Sequence, residues 1–196
     1  MKKTLPADAI LVPDNAKLVF KGQIFDVYQW PQTLFNGKTA TFELLRRPDT
    51  VQVIAIQDGK IVMIHDHQPH KGDRFGFPGG RADDTDESWE AAAKRELLEE
   101  TGLRFRQWRL VQVQQPQPKI EWFGVVYLAW DFVEQIAAQH DAGGEDIQAE
   151  LVDFARAKQL VREEHVLGFV GQLFTQAETV DDLLRLPSFE GRVAER

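Results

Sequence analysis

Residues 80–103 read GRADDTDESWEAAAKRELLEETGL, and this stretch restricts the fold and the chemistry of the chain more than any other. It places Glu96, Glu99 and Glu100 at spacings i, i+3 and i+4. On an α-helix these spacings put three carboxylates on one face within about one turn. Such a cluster repels itself, so the spacing indicates a cation site. A solvated helix face is the ordinary alternative.

The order of residues in this stretch resembles the Nudix box, G-x5-E-x7-R-E-U-x-E-E-x-G-U, in which U is aliphatic. Every box position from Glu87 to Leu103 is matched. Six residues instead of five separate Gly80 from Glu87, and a loop can absorb that insertion. The resemblance implies an α/β fold: the Nudix α/β/α sandwich, with a mixed β-sheet, N-terminal antiparallel strands and C-terminal helices.

Length and composition favour one domain. A chain of 196 residues with 43% hydrophobic content can bury a single substantial core. We expect residues 1–47 to form N-terminal strands that serve as a dimer element. Residues 48–160 would form the Nudix core, and residues 161–196 a helical C-terminal extension.

Charge and cysteine usage exclude several classes of protein. The net charge of −8 argues against a nucleic-acid partner, because such proteins usually carry a basic face. The absence of cysteine excludes disulfides and thiolate metal sites. The apolar run 9–12 lies between Pro6 and Pro13 and is too short for a signal peptide or a membrane span. We therefore expect a cytoplasmic protein without membrane contact.

Local patterns predict the elements around the box. Asn36-Gly37 and Asp58-Gly59 mark two hairpin turns. Asp84 or Asp86 is expected to cap the box helix, and Gly102 to end it. Strands are expected at 18–20, 24–30, 39–46, 51–56, 61–64, 109–114, 120–130 and 147–152. Helical patterns follow at 154–161 and 165–177.

The chemistry of the glutamates suits hard divalent cations. Carboxylate oxygens are ligands for Mg²⁺ or Mn²⁺, which also bind substrate phosphates. The resemblance implies that the ions are held by the carbonyl oxygen of Gly79 and by Glu96, Glu99 and Glu100. It also implies that Arg95 pairs with Glu87 and with a metal-binding carboxylate, and so supports the site.

The implied reaction is attack of water on a diphosphate, with metal ions neutralising phosphate charge and lowering the pKa of the water. Relatives in the ADP-ribose branch carry a catalytic glutamate on a loop well after the box. The segment 143–147, GGEDI, has that form, so Glu145 is the candidate base. Asp146, Glu150 and Glu121 are the alternatives.

A wider resemblance, over about residues 18–160, points to ADP-ribose and nucleoside-diphosphate-sugar pyrophosphatases. A base would need an aromatic platform, which Tyr28 or Trp30 can supply, although core or dimer packing would use such residues as well. Pro118 lies near the place where ADP-ribose-cleaving members carry a proline. The remaining candidate contacts to the substrate are Arg46, Arg47 and Gly80.

The sequence therefore predicts a Mg²⁺-dependent homodimeric hydrolase, with Mn²⁺ as the alternative metal. It would cleave the diphosphate of ADP-ribose or a nucleotide sugar into a nucleoside monophosphate and a sugar phosphate. Residues 77–80, FPGG, favour a nucleoside triphosphate pyrophosphohydrolase as the alternative. A catalytically silent Nudix module that senses a nucleotide is the second alternative.

Overall fold

A computed structural model describes residues 2–68, 72–138, 146–163, 166–167 and 169–195. The strands are β1 (Lys2–Leu5), β2 (Lys17–Lys21), β3 (Asp26–Thr33), β4 (Thr39–Arg46), β5 (Thr50–Gln57), β6 (Lys60–Gln68), β7 (Gly72–Gly76), β8 (Gly79–Arg81), β9 (Leu103–Gln114), β10 (Ile120–Glu121), β11 (Gly124–Gln135), β12 (Asp146–Val152), β13 (Val166–Leu167) and β14 (Arg192–Glu195). The helices are α1 (Trp89–Thr101), α2 (Phe154–Arg162), α3 (Gly171–Gln176) and α4 (Val180–Leu184).

The larger sheet is mixed and carries the box region. Its strand order is β13-β7-β6-β5-β11-β9, with β12 paired to β6 and β8 paired to β5. Strands β5 and β11 are parallel, with Thr50 opposite Gly124, whereas β9 and β11 are antiparallel. Short strand β8 lies antiparallel to β5 and places Gly79 opposite Gln52. The box glycines are therefore fixed to the centre of the sheet.

Alternating residues of β5 explain why helices cover both faces of this sheet. Val51 and Val53 are fully buried in one core with Leu97 of α1. Ile54 and Ile56 point to the opposite face and pack in a second core with residues of α2, α3 and α4. In a strand buried on both faces, successive side chains enter different cores. The α/β/α sandwich predicted from the box is confirmed.

The box helix α1 begins and ends at residues with clear capping geometry. The Ser88 side chain accepts a hydrogen bond from the Ala91 N–H, and Gly102 adopts a left-handed conformation with φ 71°. The predicted stop at Gly102 is confirmed, whereas the prediction of Asp84 or Asp86 as the N-cap is wrong. Ser88 directly precedes the helix, and the carboxylate of Asp86 is used elsewhere.

The N-terminal strands form a second, smaller sheet of order β10-β4-β3-β2. Strands β3 and β4 pair antiparallel around the predicted turn, in which Gly37 has φ 78°. Strand β10 pairs parallel with β4, with Glu121 opposite Arg46. This pairing connects the smaller sheet to the segment between β9 and β11.

The C-terminal region is helical only in part. The helix predicted at 165–177 is confined to α3, and the preceding β13 pairs in parallel with β7. The β-branched Val166 favours that strand, and Gly171 opens a short helix. Strand β14 then pairs with β1. Within the described ranges, no helix is both long and apolar enough to cross a membrane.

Candidate active site

Arg95 of α1 is the centre of the acidic network on the box helix. Its Nη1 donates to Glu96 Oε1 at 2.8 Å and to Glu99 Oε2 at 3.1 Å. Its Nη2 donates to the carbonyl oxygen of Arg81 at 2.9 Å. The surrounding carboxylates raise the pKa of Arg95 despite its partial burial. One guanidinium therefore fixes two of the predicted metal-binding glutamates.

The carboxylate that faces Arg95 from the loop before α1 belongs to Asp86. Arg95 Nε donates to Asp86 Oδ1 at 3.2 Å, and Nη2 donates to Asp86 Oδ2 at 3.0 Å. These hydrogen bonds hold the pKa of Asp86 below its ordinary value. The expected pairing of Arg95 with Glu87 is therefore corrected, since Glu87 is exposed and the loop presents the preceding residue instead.

Gly80 provides the space that the side chain of Glu96 occupies. A Cβ atom on Gly80 would lie 2.6–2.8 Å from the carboxylate atoms of Glu96. This close approach keeps Glu96 half-buried, and burial raises its pKa, with Arg95 acting in the opposite direction. The structure thus places Gly80, predicted to contact substrate, directly beside a predicted metal ligand.

Gly79 meets the other end of the glutamate cluster. Its backbone N–H donates to Glu100 Oε2 at 2.8 Å. Its φ of 150° is a conformation that favours glycine, and a Cβ atom would collide with the carbonyl oxygen of Val51. Gly79 and Glu100 are therefore neighbours, as a shared metal site would require.

The oxygen donors of this region are of the chemical type that binds a hard divalent cation. Carboxylates and a backbone carbonyl are the ligands that Mg²⁺ and Mn²⁺ take in proteins. The present arrangement engages Glu96 and Glu99 with Arg95 and engages Glu100 with Gly79. Among the residues described, no three acidic or histidine side chains converge closely enough to enclose an ion. In this arrangement each of the three glutamates accepts a hydrogen bond from a protein donor.

A cavity of about 740 Å³ opens beside this network, between the smaller sheet and the loop before α1. Asp86 and Glu87 lie on one side of it, and the basic residues on its other walls are Lys3, Lys21, Arg46 and Arg47. Asp86 both lines the cavity and pairs with Arg95. The cavity is therefore in direct contact with the network on the box helix.

Arg46 on the cavity wall is held by two partners from distant parts of the chain. Its Nε and Nη2 donate to the two carboxylate oxygens of Glu121 at 3.1 and 3.2 Å, and Nη1 donates to the Tyr28 hydroxyl. Burial lowers the pKa of Arg46, but Glu121 outweighs that effect and raises it. Glu121 is buried and also accepts from the Val12 N–H. Glu121 is thus an ion-pair partner and is not directed at the box glutamates.

Arg47, the next residue, lies between aromatic rings. Its guanidinium carbon is 4.6 Å from the ring centroid of Trp122 and 5.7 Å from that of Phe25. Its Nε is buried and has no hydrogen-bond partner among the described residues. Burial lowers the pKa of Arg47. An unsatisfied donor of this kind is costly unless a ligand or water accepts from it.

Two predicted substrate contacts lie away from the cavity. Trp30 Nε1 donates to Gln32, and the Trp30 ring packs against Phe42 at 6.1 Å between centroids, on the smaller sheet. Pro118 is exposed in the loop that precedes β10. Tyr28, in contrast, lines the cavity beneath Arg46. The candidate base Glu145 lies outside the described residues, immediately before β12.

The family model of the NUDIX domain matches residues 46–168, about two thirds of the chain. The chain belongs to the Nudix family. The prediction made from the box is thereby confirmed, and the matched range contains α1, both box glycines and the arginines at the end of β4.

Individual relatives agree with this family. The chain is 36% identical over 86 residues to an ADP-ribose pyrophosphatase of Bacillus subtilis (strain 168), which is 43% of this chain and 46% of that protein. The match thus spans about half the length of this curated relative. A crystal structure of an ADP compounds hydrolase superimposes with a TM-score of 0.61 and 21% identity, over 93% of both chains. A NUDIX hydrolase from Nitrosomonas europaea gives 0.53 and 16%, over 70% of this chain and 88% of that one. These two likenesses concern the fold alone.

Proposed function

We propose that this Nudix protein is a Mg²⁺- or Mn²⁺-dependent hydrolase that cleaves the diphosphate of ADP-ribose or a nucleoside-diphosphate sugar. The products would be a nucleoside monophosphate and a sugar phosphate. One observation carries the proposal: the cavity is lined on one side by Asp86, which binds Arg95 of the box helix, and on the other by Arg46 and Arg47. Its volume of about 740 Å³ is in the range of small-molecule sites.

The acidic network on the box helix, which reaches the cavity through Asp86, would hold the cation. Glu96, Glu99 and Glu100, with the carbonyl oxygen of Gly79, are the proposed ligands. When bound, a divalent cation neutralises phosphate charge and lowers the pKa of the attacking water. Arg95 keeps Glu96 and Glu99 on one side of α1, and Gly80 admits the Glu96 carboxylate.

The basic wall would bind the diphosphate derivative. Arg47 lines the cavity and its Nε has no described partner, so a rotation of its side chain toward a phosphate oxygen would break no described hydrogen bond of Nε. Arg46 keeps its charge but is committed to Glu121 and Tyr28. We therefore assign the contact with the phosphates to Arg47. Arg46 would form part of the cavity wall without binding the phosphates. Tyr28 remains the candidate aromatic contact, whereas Trp30 and Pro118 would need a second subunit to reach a ligand.

We keep Glu145 as the proposed base that orients or deprotonates the attacking water. The alternative Glu121 is disfavoured because both of its carboxylate oxygens already accept hydrogen bonds. The segment GGEDI leads directly into β12, which pairs with β6 in the larger sheet.

A substrate panel tests the proposed activity. ADP-ribose, several nucleotide sugars, dinucleoside polyphosphates and nucleoside triphosphates would be incubated with Mg²⁺ or Mn²⁺, and the products separated by chromatography. Glu100→Gln protein, purified identically, controls for contaminating phosphatases. We expect metal-dependent release of a nucleoside monophosphate from ADP-ribose or a nucleotide sugar. Turnover of triphosphates alone would contradict this assignment.

Two alternative functions each rest on a specific observation. Residues 77–80, FPGG, precede the box and favour a nucleoside triphosphate pyrophosphohydrolase, for which pyrophosphate would be the product. The engagement of all three glutamates by protein donors favours a silent, nucleotide-sensing module. Binding of ADP-ribose without turnover under every metal condition would support the silent module.

We also propose a homodimer in which residues 1–47 contribute to the assembly, beside a core of residues 48–160 and an extension of residues 161–196. Every residue of β2, a strand at the end of the smaller sheet, is exposed. Phe20 and Ile24 are 61% and 58% exposed, and symmetric pairing would bury such apolar surface. Light scattering at micromolar concentration tests this, and a monomer with full activity would refute it.

A further inference from the structure

The loop before α1 presents Asp86 to Arg95 with a two-point contact. Arg95 Nε and Nη2 donate to the two different oxygens of Asp86, at 3.2 and 3.0 Å. A planar guanidinium bound through two nitrogens to two oxygens loses its rotational freedom, so this contact sets the direction of the whole side chain. The Asp86 side chain is 8% exposed.

Asp86 is itself held rigidly. Its Oδ2 accepts from the Asp83 N–H at 2.8 Å, and its own N–H donates to the Asp83 carbonyl oxygen at 3.0 Å. Asp83 stands farther from Arg95, at 3.8 Å. The loop therefore closes a small turn that aims one carboxylate at Arg95.

The orientation of Arg95 is passed on to the predicted metal ligands. With Nε and Nη2 fixed by Asp86, the remaining Nη1 points along α1 and donates to Glu96 and Glu99. Without Asp86, Arg95 can swing toward solvent or collapse onto either glutamate. Either change would alter the charge and the position of two ligands at once.

Counting along the chain shows why Asp86 can have this role. Glu87 has the box spacing to Arg95, seven intervening residues, but Asp86 has the box spacing to Gly80, five intervening residues. Without the inserted residue, one acid would have both the box spacing to Gly80 and the box spacing to Arg95. With it, each spacing belongs to a different acid. In the folded chain the spacing to Gly80 decides, because β8 fixes Gly80 and Arg81 against β5, and Arg95 also binds the Arg81 carbonyl.

We propose that Asp86, and not Glu87, is the positioning carboxylate that orients Arg95 and, through it, Glu96 and Glu99, while the insertion leaves Glu87 on the cavity wall. The consequence of this role for turnover rests on the proposed hydrolase function. The consequence for cation binding does not depend on any substrate.

Binding of Mn²⁺ alone, followed by electron paramagnetic resonance, compares two matched charge-removing variants, Asp86→Asn and Glu87→Gln. Asp86→Asn should weaken Mn²⁺ binding by roughly 10–100-fold, the usual effect of losing an outer partner of a metal ligand. The Mn²⁺ affinity of Glu87→Gln should stay within about two-fold of that of the parent protein, because Glu87 is not the carboxylate that holds Arg95. Equal losses in both variants, or a larger loss in Glu87→Gln, would overturn the proposal.

A double-mutant cycle with Arg95→Lys separates positioning from simple support of the loop. If Asp86 acts through Arg95, adding Asp86→Asn to Arg95→Lys should weaken Mn²⁺ binding little further. Fully additive losses would overturn the proposal. Asp86→Glu keeps the charge and should recover most of the affinity, which keeps the idea testable if Asp86→Asn unfolds. A loss in Asp86→Glu equal to that in Asp86→Asn would count against it.

The substrate panel keeps this inference distinct from the proposed function. Suppose that Asp86→Asn selectively loses Mn²⁺ affinity while the parent protein turns over none of the substrates. This result would support the inference and contradict the proposed hydrolase function. Metal-dependent turnover in the parent protein with unchanged Mn²⁺ affinity in Asp86→Asn would do the reverse.

Discussion

The acidic face of α1 and the basic wall of the cavity differ in how their charged side chains are paired. On α1, Arg95 is shared among three carboxylates, so negative charge is in excess. On the wall, Arg46 is paired with the carboxylate of Glu121, whereas the Nε of Arg47 donates to no described residue. The first region lacks positive charge and the second lacks an acceptor. The proposed cation, bound to a phosphate group of the substrate, would supply both.

The largest test of this comparison removes charge from the acidic side. Glu99→Gln or Glu100→Gln should abolish nearly all turnover, by about 10⁴-fold, because each loses metal-held stabilisation worth several kcal/mol. Glu96→Gln should act in the same direction. Steady-state rates across a Mg²⁺ titration measure the effect, and thermal melting controls for folding. Near-normal rates at saturating Mg²⁺ in both variants would remove the metal assignment.

The second test concerns an acid that belongs to neither region. Glu145→Gln should lower kcat by roughly 10²–10⁴-fold with little change in KM, as expected for a group that assists proton transfer. The matched variant Asp146→Asn should retain far more activity. If Asp146→Asn shows the larger loss of kcat, the base is the neighbouring residue.

The third test removes the unsatisfied donor from the basic wall. Arg47→Met keeps much of the apolar stem and should raise KM by roughly 10–100-fold, the equivalent of one charge-assisted hydrogen bond. Folding stability should fall by no more than about 1–2 kcal/mol, the value of the lost contacts with Trp122 and Phe25, because Nε donates to no described residue. An unchanged KM for every substrate would show that Arg47 makes no contact with the bound substrate.

The smallest effect on catalysis is expected at Arg46, where the effect on stability should be the greater one. Arg46→Met leaves the buried Glu121 without its partner, which costs up to roughly 3–5 kcal/mol for a fully buried pair. Because Arg46 is itself partly exposed, we expect less than that in urea unfolding. Adding Glu121→Gln should restore part of the loss. A variant as stable as the parent but without activity would place Arg46 in phosphate binding.

The sequence predicts those parts of the molecule that depend on local interactions. The box helix, its stop at Gly102 and the hairpin at Gly37 follow from spacing and from residues that favour one conformation. The choice of Asp86 over Glu87 depends on how the loop runs between β8 and α1. Spacing to Gly80 contained that signal, but only the fold shows that it outweighs spacing to Arg95.

Contacts between distant segments could not be predicted in the same way. Arg46 and Glu121 are 75 residues apart and meet because β10 pairs with β4. Strand β10 has only two residues and therefore no sequence pattern that would predict it. The short C-terminal helix α3 also depends on packing, since its buried Leu173 and Phe174 join the core opposite α1. The place of Trp30 outside the cavity lining likewise depends on tertiary structure, here on the pairing of β3 with β4.

Gly102 joins the end of the box helix to the end of β11. Its carbonyl oxygen accepts from the Ile136 N–H at 2.9 Å, and a Cβ atom there would collide with the Ile136 carbonyl oxygen. The last turn of α1, which carries Glu99 and Glu100, is thus tied to the residue that directly follows β11. Any side chain at Gly102 would push the end of α1 away from this residue and so displace both glutamates.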